Sequence, residues 1–417
     1  MREALFLSYD GLTDPLGGSQ ILPYVVGLAG RGHRFTLVSF EKPGRFQDRG
    51  AAIRSACEVA GIDWHPLSYT KRPPMLSTVY DLARMHRTAM ELHRRKRFDV
   101  VHARSVLAAM IARRIKRSEG VPFVFDIRGF WAQERVDGGL WNLAKPHYRA
   151  AFHAVRYEED ASFTEADHVV SLTHRAKEEI ESWSHLRSPR PTTTVIPCCV
   201  DLRLFDPDAI ADSDVADTRR TLGLAPDDFV VLYLGSIGTW YMLGEMLDFF
   251  ARVRRVRPSA KFLFVTQDEP ALVFREAERR GIPATALVVR PSPRERVPTH
   301  VAVADCSLFF IKPLPSKMAS SPTKQGEVMA MGVPVVCNRG IGDTDTIVEK
   351  YDAGVLVDRF DDRAYDDAIA RLLARPDRRS ATARTGAREW FSLDVGIDRY
   401  AGVYASLPSA DRRSTRD

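Results

Sequence analysis

The sequence predicts an α/β protein built from two facing Rossmann-like domains. Three observations carry this. Short apolar runs of four to six residues alternate with longer amphipathic segments along most of the chain, as expected for parallel strands buried on both faces and joined by helices. The alternation pauses in a polar stretch from about Asp206 to Asp228 and restarts at Phe229. At 417 residues the chain also exceeds one typical domain. The expected division is residues 1–200, residues 201–390 and a final segment, 391–417.

Ala4–Tyr9 is the first expected strand. The segment DGLTDPLGGSQ follows it. There Gly17 and Gly18 allow backbone to approach a ligand closely; a plain flexible turn is the alternative. Ser19 can cap a helix over Gln20–Arg31, and Phe35–Phe40 is the next strand. This βαβ unit lacks GxGxxG, so a dinucleotide fingerprint is absent. Ile62–Leu67 and Asp99–Ala103 are strands flanking a helix over Leu76–Arg97. That helix carries His86, Arg87, His93, Arg94, Arg95, Lys96 and Arg97. It suits an anionic membrane surface, or it is simply a solvated face.

Pro122–Ile127 leads into FDIRGFWAQERVDGGLW, which is polar, aromatic and glycine-rich at once. Asp126, Arg128, Gln133, Glu134, Arg135 and Asp137 interleave with Phe130, Trp131 and Trp141. Loops after parallel strands are where doubly wound sheets bind ligands, and charges beside aromatic faces suit sugars. Surface ion pairing within a structured loop is the competing account. A helix over Leu143–Phe163 and strands at His168–Leu172 and Thr193–Ile196 complete the first sheet. The second sheet is expected from Phe229–Leu234, Lys261–Thr266, Ala286–Arg290, Ser307–Ile311, Val333–Cys337 and Gly354–Val357. Between the first two of these, GSIGTWYML places Gly235, Ser236 and Gly238 where backbone N–H groups can face a phosphate. With two such sheets, the cleft between domains is the default binding site.

The stretch with most chemistry is SKMASSPTKQGEVMAMGVPVV, Ser316–Val336. Ser321 suits a helix N-cap and Pro322 the first helical position. The helix then presents free N–H groups and a positive dipole end to an anion. Lys324 adds a full charge, and Ser320, Ser321 and Thr323 offer hydroxyls, a set that fits a diphosphate. Glu327, one turn on, can accept hydrogen bonds from a ribose diol. The competing view is a well-capped helix with a solvated Lys and Glu.

A net charge of +6 is compatible with anionic partners such as nucleotides or lipid headgroups, and is too weak and dispersed to argue for nucleic acid. Cys57, Cys198, Cys199, Cys306 and Cys337 show no metal spacing and no CxxC, which predicts a reduced compartment. The first residues do not have the pattern of a signal peptide. No run of eighteen apolar residues occurs, so a cytoplasmic location is expected, with peripheral contact at the inner face of the cell membrane through the basic helix. The tail LPSADRRSTRD is expected to fray.

The segment SPTKQGEVMAMGVPVV resembles the donor site of retaining nucleotide-sugar glycosyltransferases of the GT-B fold, family 4, also called group 1. Asp201 and Phe205 in VIPCCVDLRLFDP and the run ARE-WFSLDVGIDRYAGVYASL are similar to that family's connector and terminal helix. The resemblance implies a GT-B architecture whose C-terminal helix crosses back to the first domain, with an acceptor-side first domain and a donor-nucleotide-binding second. It implies that Glu327 holds the ribose hydroxyls. Gly17, Gly18, Gly235, Ser236, Ser321, Thr323 and Lys324 would then complete the donor site, and His102, Arg128, Trp131 and Glu134 would line the acceptor site, with Asp126 near the reacting centre. For His102, a core histidine hydrogen-bonded to backbone is the other reading. The sequence departs from the family at four places, one of them Cys198-Cys199, where Asn-Gly commonly stands. Ala319 stands where a donor-sugar Glu is usual. No His follows Asp126. No Arg or Lys follows Gly238 before Arg252, which leaves the charge to Lys324 with Lys312 or Lys317.

The implied reaction is retaining transfer of a glycosyl unit from a nucleoside diphosphate sugar to a hydroxyl on a glycan, a lipid-linked acceptor or a small molecule. No acidic pair follows a strand in a metal-binding setting, so no divalent metal and no cofactor beyond the sugar nucleotide is expected. Two rivals are a GT-B isomerase of sugar nucleotides and a nicotinamide-dependent dehydrogenase. A noncatalytic sugar-nucleotide-binding protein is a third.

Overall fold

The computed structural model describes residues 1–186, 190–375, 377 and 379–410. Residues 411–417 of the tail expected to fray lie outside this set. The chain divides into two compact units: Met1–Pro197 with Leu393–Asp417, and Cys198–Ser392.

The first unit holds a seven-stranded parallel sheet. Its strands are β1 (Glu3–Ser8), β2 (Arg34–Glu41), β3 (Asp63–Ser68), β4 (Val100–Arg104), β5 (Phe123–Asp126), β6 (His168–Ser171) and β7 (Thr192–Val195), in the order β3-β2-β1-β4-β5-β6-β7. β1, β4, β5 and β6 are buried almost throughout, because helices cover both faces. Register aligns Ser8 with Arg104 and Arg104 with Asp126, so three polar side chains end adjacent strands side by side. His102 lies two residues before Arg104 and therefore shares its face.

The C-terminal helix Leu393–Ser406 belongs to this first unit. It packs on Leu22–Gly30, where Gly27 leaves room for Ile397; a methyl group there would collide with it. The terminal run is two helices, Ala381–Phe391 and Leu393–Ser406, broken at Ser392.

The second unit holds a six-stranded parallel sheet: β8 (Val230–Leu234), β9 (Lys261–Val265), β10 (Leu287–Arg290), β11 (Cys306–Phe309), β12 (Val335–Asn338) and β13 (Gly354–Val357), ordered β10-β9-β8-β11-β12-β13. Its core is one continuous apolar cluster that includes Tyr233, Phe249, Phe250, Phe262 and Phe264.

Four expectations need correction. Gly17 and Gly18 sit in a short helix, Pro15–Gln20, rather than in a loop. Gly17 is needed there for space, since a Cβ would strike the backbone of Gly11 and Leu12. Ser19 does not cap a helix; inside that short helix its hydroxyl donates to the Pro15 carbonyl at 2.9 Å. The Asp126–Gly139 loop contains a helix, Trp131–Asp137. In the basic helix, observed at Leu76–Lys96, His93 is buried and accepts from the Phe98 N–H through Nδ1 at 3.3 Å. Among the described residues no helix is long and apolar enough to cross a membrane. All five cysteines are buried and unbridged.

Candidate active site

In the second unit the helix Thr323–Ala330 starts one residue later than Ser321 would dictate. Pro322 stands at the cap position, and Ser321 is drawn away: its hydroxyl accepts the Cys198 N–H at 3.2 Å. The helix start therefore has no side-chain cap, which leaves its first N–H groups for another partner.

Lys324 lies in the first turn and is 6% exposed. Its Nζ has no hydrogen-bond partner among the described residues. It rests 4.2 Å from the ring centroid of Tyr233 and 3.7 Å from that of Tyr241. Ring quadrupoles offset part of the cost of burying an ammonium. Burial still holds the amine well below the usual lysine range, against the raising effect of Glu327. Tyr233 comes from β8, and Tyr241 is fixed by a bridge to Ile311 just past β11. The two strands are neighbours at the point where the order reverses, where open α/β sheets bind ligands.

Gly235 ends β8 at φ +100°, a conformation that favours glycine. A Cβ there would lie 3.6 Å from Lys324 Nζ, so the bare backbone forms a wall of the lysine's surroundings. The Gly235 N–H is spent on Val265 O at 2.9 Å. Ser236 is exposed, and its carbonyl accepts the Tyr233 hydroxyl. Thr323 is half-buried at the helix start. Glu327 is buried and pairs with Arg294, whose guanidinium also lies over Phe205 at 4.8 Å. Lys317 is buried with its amine 3.7 Å from the Trp240 centroid, whereas Lys312 is exposed. Ala319 is fully buried.

In the first unit Asp126 and Arg128 come together at the end of β5. Asp126 is 2% exposed and accepts the Tyr400 hydroxyl at 3.0 Å. Burial would raise its carboxyl, but Arg128, His102 and Arg104 outweigh this and hold it below the usual range. Arg128 adopts φ +52°, followed by Gly129 at +142°. A non-glycine residue there costs energy, and such strain concentrates at functional turns.

His102 is bonded to a side chain, not to backbone. Its Nδ1 lies 2.8 Å from the Tyr404 hydroxyl and its ring stacks on Phe6 at 4.4 Å. Buried beneath Asp126, it is kept neutral by lack of solvation. The Trp131 ring is covered by Arg135 at 4.3 Å and meets Trp141 edge-on at 5.5 Å. Glu134 is half-buried close to Gly129: a Cβ on that glycine would lie 3.2 Å from its Oε1. Gly17 is buried and Gly18 exposed, and the Gly18 N–H donates to Asp14 O at 3.0 Å. The loop before them is pinned by Glu41, whose carboxylate accepts the N–H groups of Leu12 and Thr13 at 2.8 and 3.0 Å.

Sequence reasoning overlooked Arg294, Tyr233, Tyr241, Arg104, Tyr400 and Glu41. Arg104 had a usable signal, since it extends the buried run DVVHA by one residue. Arg294 had none, because PSPRER reads as an ordinary polar loop.

Two parallel α/β units, each with a polar cluster at the strand ends, define a GT-B-type protein. Residues 17–199 match the model of the glycosyl transferase 4-like domain, and residues 214–389 match that of the glycosyl transferases group 1. The chain belongs to this glycosyltransferase family and is a glycosyltransferase. It is 27% identical over 327 residues to the D-inositol 3-phosphate glycosyltransferase of Segniliparus rotundus, covering 77% of this chain and 68% of the relative. Among solved structures it resembles the sucrose-phosphate synthase of Thermosynechococcus elongatus, with TM-score 0.73, 16% identity and coverage of 97% and 98% of the two chains. It also resembles Anabaena HepE in complex with UDP and glucose, with TM-score 0.69, 18% identity and coverage of 98% and 100%.

Proposed function

We propose that the protein transfers a glycosyl unit, with retention, from a nucleoside diphosphate sugar to a hydroxyl acceptor. The observation that carries this is Lys324: a buried amine without a hydrogen-bond partner among the described residues, in the first turn of a helix with no side-chain cap. A leaving diphosphate supplies the negative charge that this amine and the helix N–H groups lack. HepE, solved with UDP and glucose, supports a nucleoside diphosphate as the donor's leaving portion.

Glu327, oriented by Arg294, is assigned to the ribose diol. Thr323, Ser321, Ser236 and the backbone at Gly235 are assigned to the donor. The acceptor is assigned to Arg128, Trp131 and Glu134, with Asp126 and His102 beneath. In the reaction the sugar C1–O bond to the diphosphate breaks and a bond from C1 to the acceptor oxygen forms on the same face. The acceptor proton passes to the departing phosphate oxygen. The sugar passes through an oxocarbenium-like state, and Lys324 stabilises the charge that grows on the diphosphate. No metal enters this scheme. Among the described residues no group of three His, Cys, Asp or Glu side chains is placed to hold a metal ion.

The reading further places the protein in the cytoplasm, with the helix Leu76–Lys96 against an anionic membrane. Leu76, Val79 and Tyr80 are exposed near its start and Arg87, Arg94 and Arg95 along it. The test is a thermal-shift screen of UDP, GDP, ADP and TDP followed by assay with the matching sugar nucleotides. Stabilisation by one of them, and release of the free diphosphate only when an acceptor is added, supports transfer. Interconversion of the sugar without acceptor would show an isomerase instead.

A further inference from the structure

The helix Trp131–Asp137 carries Trp131 and Glu134 of the acceptor assignment, yet it has only 7 residues. A helix that short does not hold itself in water. Its place must come from what it touches. Trp131, Glu134 and Arg135 are spaced i, i+3 and i+4, so they share one face. A shift of the helix would carry all three side chains with it.

Phe130, at the cap position, offers no side-chain hydrogen bond to the helix start. The acceptor oxygen comes instead from a second helix, Pro146–Glu165. There Glu159 is 3% exposed, and its Oε1 accepts the Ala132 N–H at 3.2 Å. Its Oε2 accepts from Arg156 NH1 at 3.1 Å. Arg156 is held in turn, with its guanidinium 5.0 Å from the Trp183 ring centroid and its NH2 3.4 Å from Asp160. Trp183 also seats Phe130, the ring centroids lying 5.4 Å apart. Phe130 and Ala132 are both buried. The contacts thus run from Phe130 through Trp183, Arg156 and Glu159 back to Ala132, around the first turn of the short helix. A carboxylate is a costly group to bury here, and burial raises it to about 7 against the lowering effects of Arg156 and the Ala132 N–H. An apolar side chain of similar size would fill the space at less cost, but it could not accept the Ala132 N–H.

We propose that Glu159 is a positioning residue for the acceptor segment, fixing the start of the helix Trp131–Asp137 from a neighbouring helix; the word acceptor rests on the transfer reading above. Glu159 touches no substrate in this account. It acts through the backbone of Ala132, and so sets where Trp131 and Glu134 stand. Arg156 orients the carboxylate, and Trp183 holds Arg156 and Phe130 in one layer.

The test is hydrogen-exchange mass spectrometry of the full chain, beside calorimetry with UDP on the same samples. E159L keeps the size of the side chain and removes its acceptor oxygens. Peptides covering residues 130–137 should then exchange roughly five- to tenfold faster, the usual worth of a lost cap. Peptides from β4 and β5 should keep wild-type protection. E159Q still offers a carbonyl oxygen to the Ala132 N–H and should restore most of the protection, a rescue that a role in packing alone would not require. UDP affinity should be unchanged in both variants. Wild-type exchange in E159L, or exchange in E159Q as fast as in E159L, overturns the proposal. Loss of UDP affinity in E159L would tie the helix to the donor and overturns its acceptor-side role. Should E159L fail to fold, R156Q probes the same anchor: faster exchange in the same peptides supports it, and unchanged exchange overturns it. A wild-type protein that shows the exchange pattern but binds no nucleoside diphosphate would sink the transfer reading and keep the anchor.

Discussion

Lys324 is where folding and function pull in opposite directions. Its burial lowers its pKa, so the folded state holds its proton less firmly than the unfolded chain does. Stability should therefore rise with pH up to the ordinary lysine range. Lys324→Met, of similar length but without the charge, should melt at or above wild type while turnover falls about 10²–10³-fold, the usual cost of removing one preorganised donor. Thermal melts beside steady-state rates check this, and a variant with normal turnover would remove the lysine from the site. Glu159 gives a second pH effect. Burial raises its carboxyl to about 7, against the lowering effects of Arg156 and of the Ala132 N–H. Between pH ~4.5 and ~7 the unfolded chain has lost a proton that the folded chain keeps, so stability falls as pH rises through that window. The shift corresponds to roughly 3 kcal/mol at its upper end. Glu159→Gln should flatten this slope in denaturation measured at pH 5 and pH 7.5.

At the scale of the element, the segment Asp126–Gly139 selects the acceptor in our account. Arg128→Ala and Glu134→Ala should raise the acceptor KM or lower turnover, with the donor Kd nearly unchanged. Calorimetry of donor binding beside kinetics separates the two, and equal losses would assign the segment to the donor. The same segment shows what the sequence can and cannot reveal. Its position after a strand was legible, because FVF is an apolar run ended by charge. Its helix was not, because Trp131–Asp137 spans a single short stretch whose aromatic residues pack locally and through Arg135. Ser321 was read as a cap because Ser-Pro is a strong local signal. The Cys198 N–H that takes its hydroxyl lies 123 positions away in the chain, where no local rule reaches. Gly17 and Gly18 read as a loop for the same reason, since the close approach of Gly11 that requires Gly17 is a tertiary contact.

At the scale of the whole molecule, both sheets were legible because their central strands are buried on both faces and so spell apolar runs, whereas the edge strands β3 and β7 are only partly buried. The strand limits differ from expectation by one or two residues, which is where pairing rather than hydropathy decides. Lys324 and Glu327 were legible because they lie within one helical turn of each other. Arg294 was not, since it reaches Glu327 only through the fold, and the burial of Arg104 was legible from its strand but its approach to Asp126 from the next strand was not.

The central claim is that Lys324 and Glu327 bind a nucleoside diphosphate. It is tested most directly by calorimetric titration of wild type, Lys324→Met and Glu327→Gln with the diphosphate that stabilises the protein most, and with its 2′,3′-dideoxy analogue. The account predicts that Lys324→Met weakens both ligands about tenfold or more, whereas Glu327→Gln weakens the ribose form and leaves the dideoxy form nearly unchanged. Wild-type affinity in Lys324→Met, or equal loss of both ligands in Glu327→Gln, would contradict it.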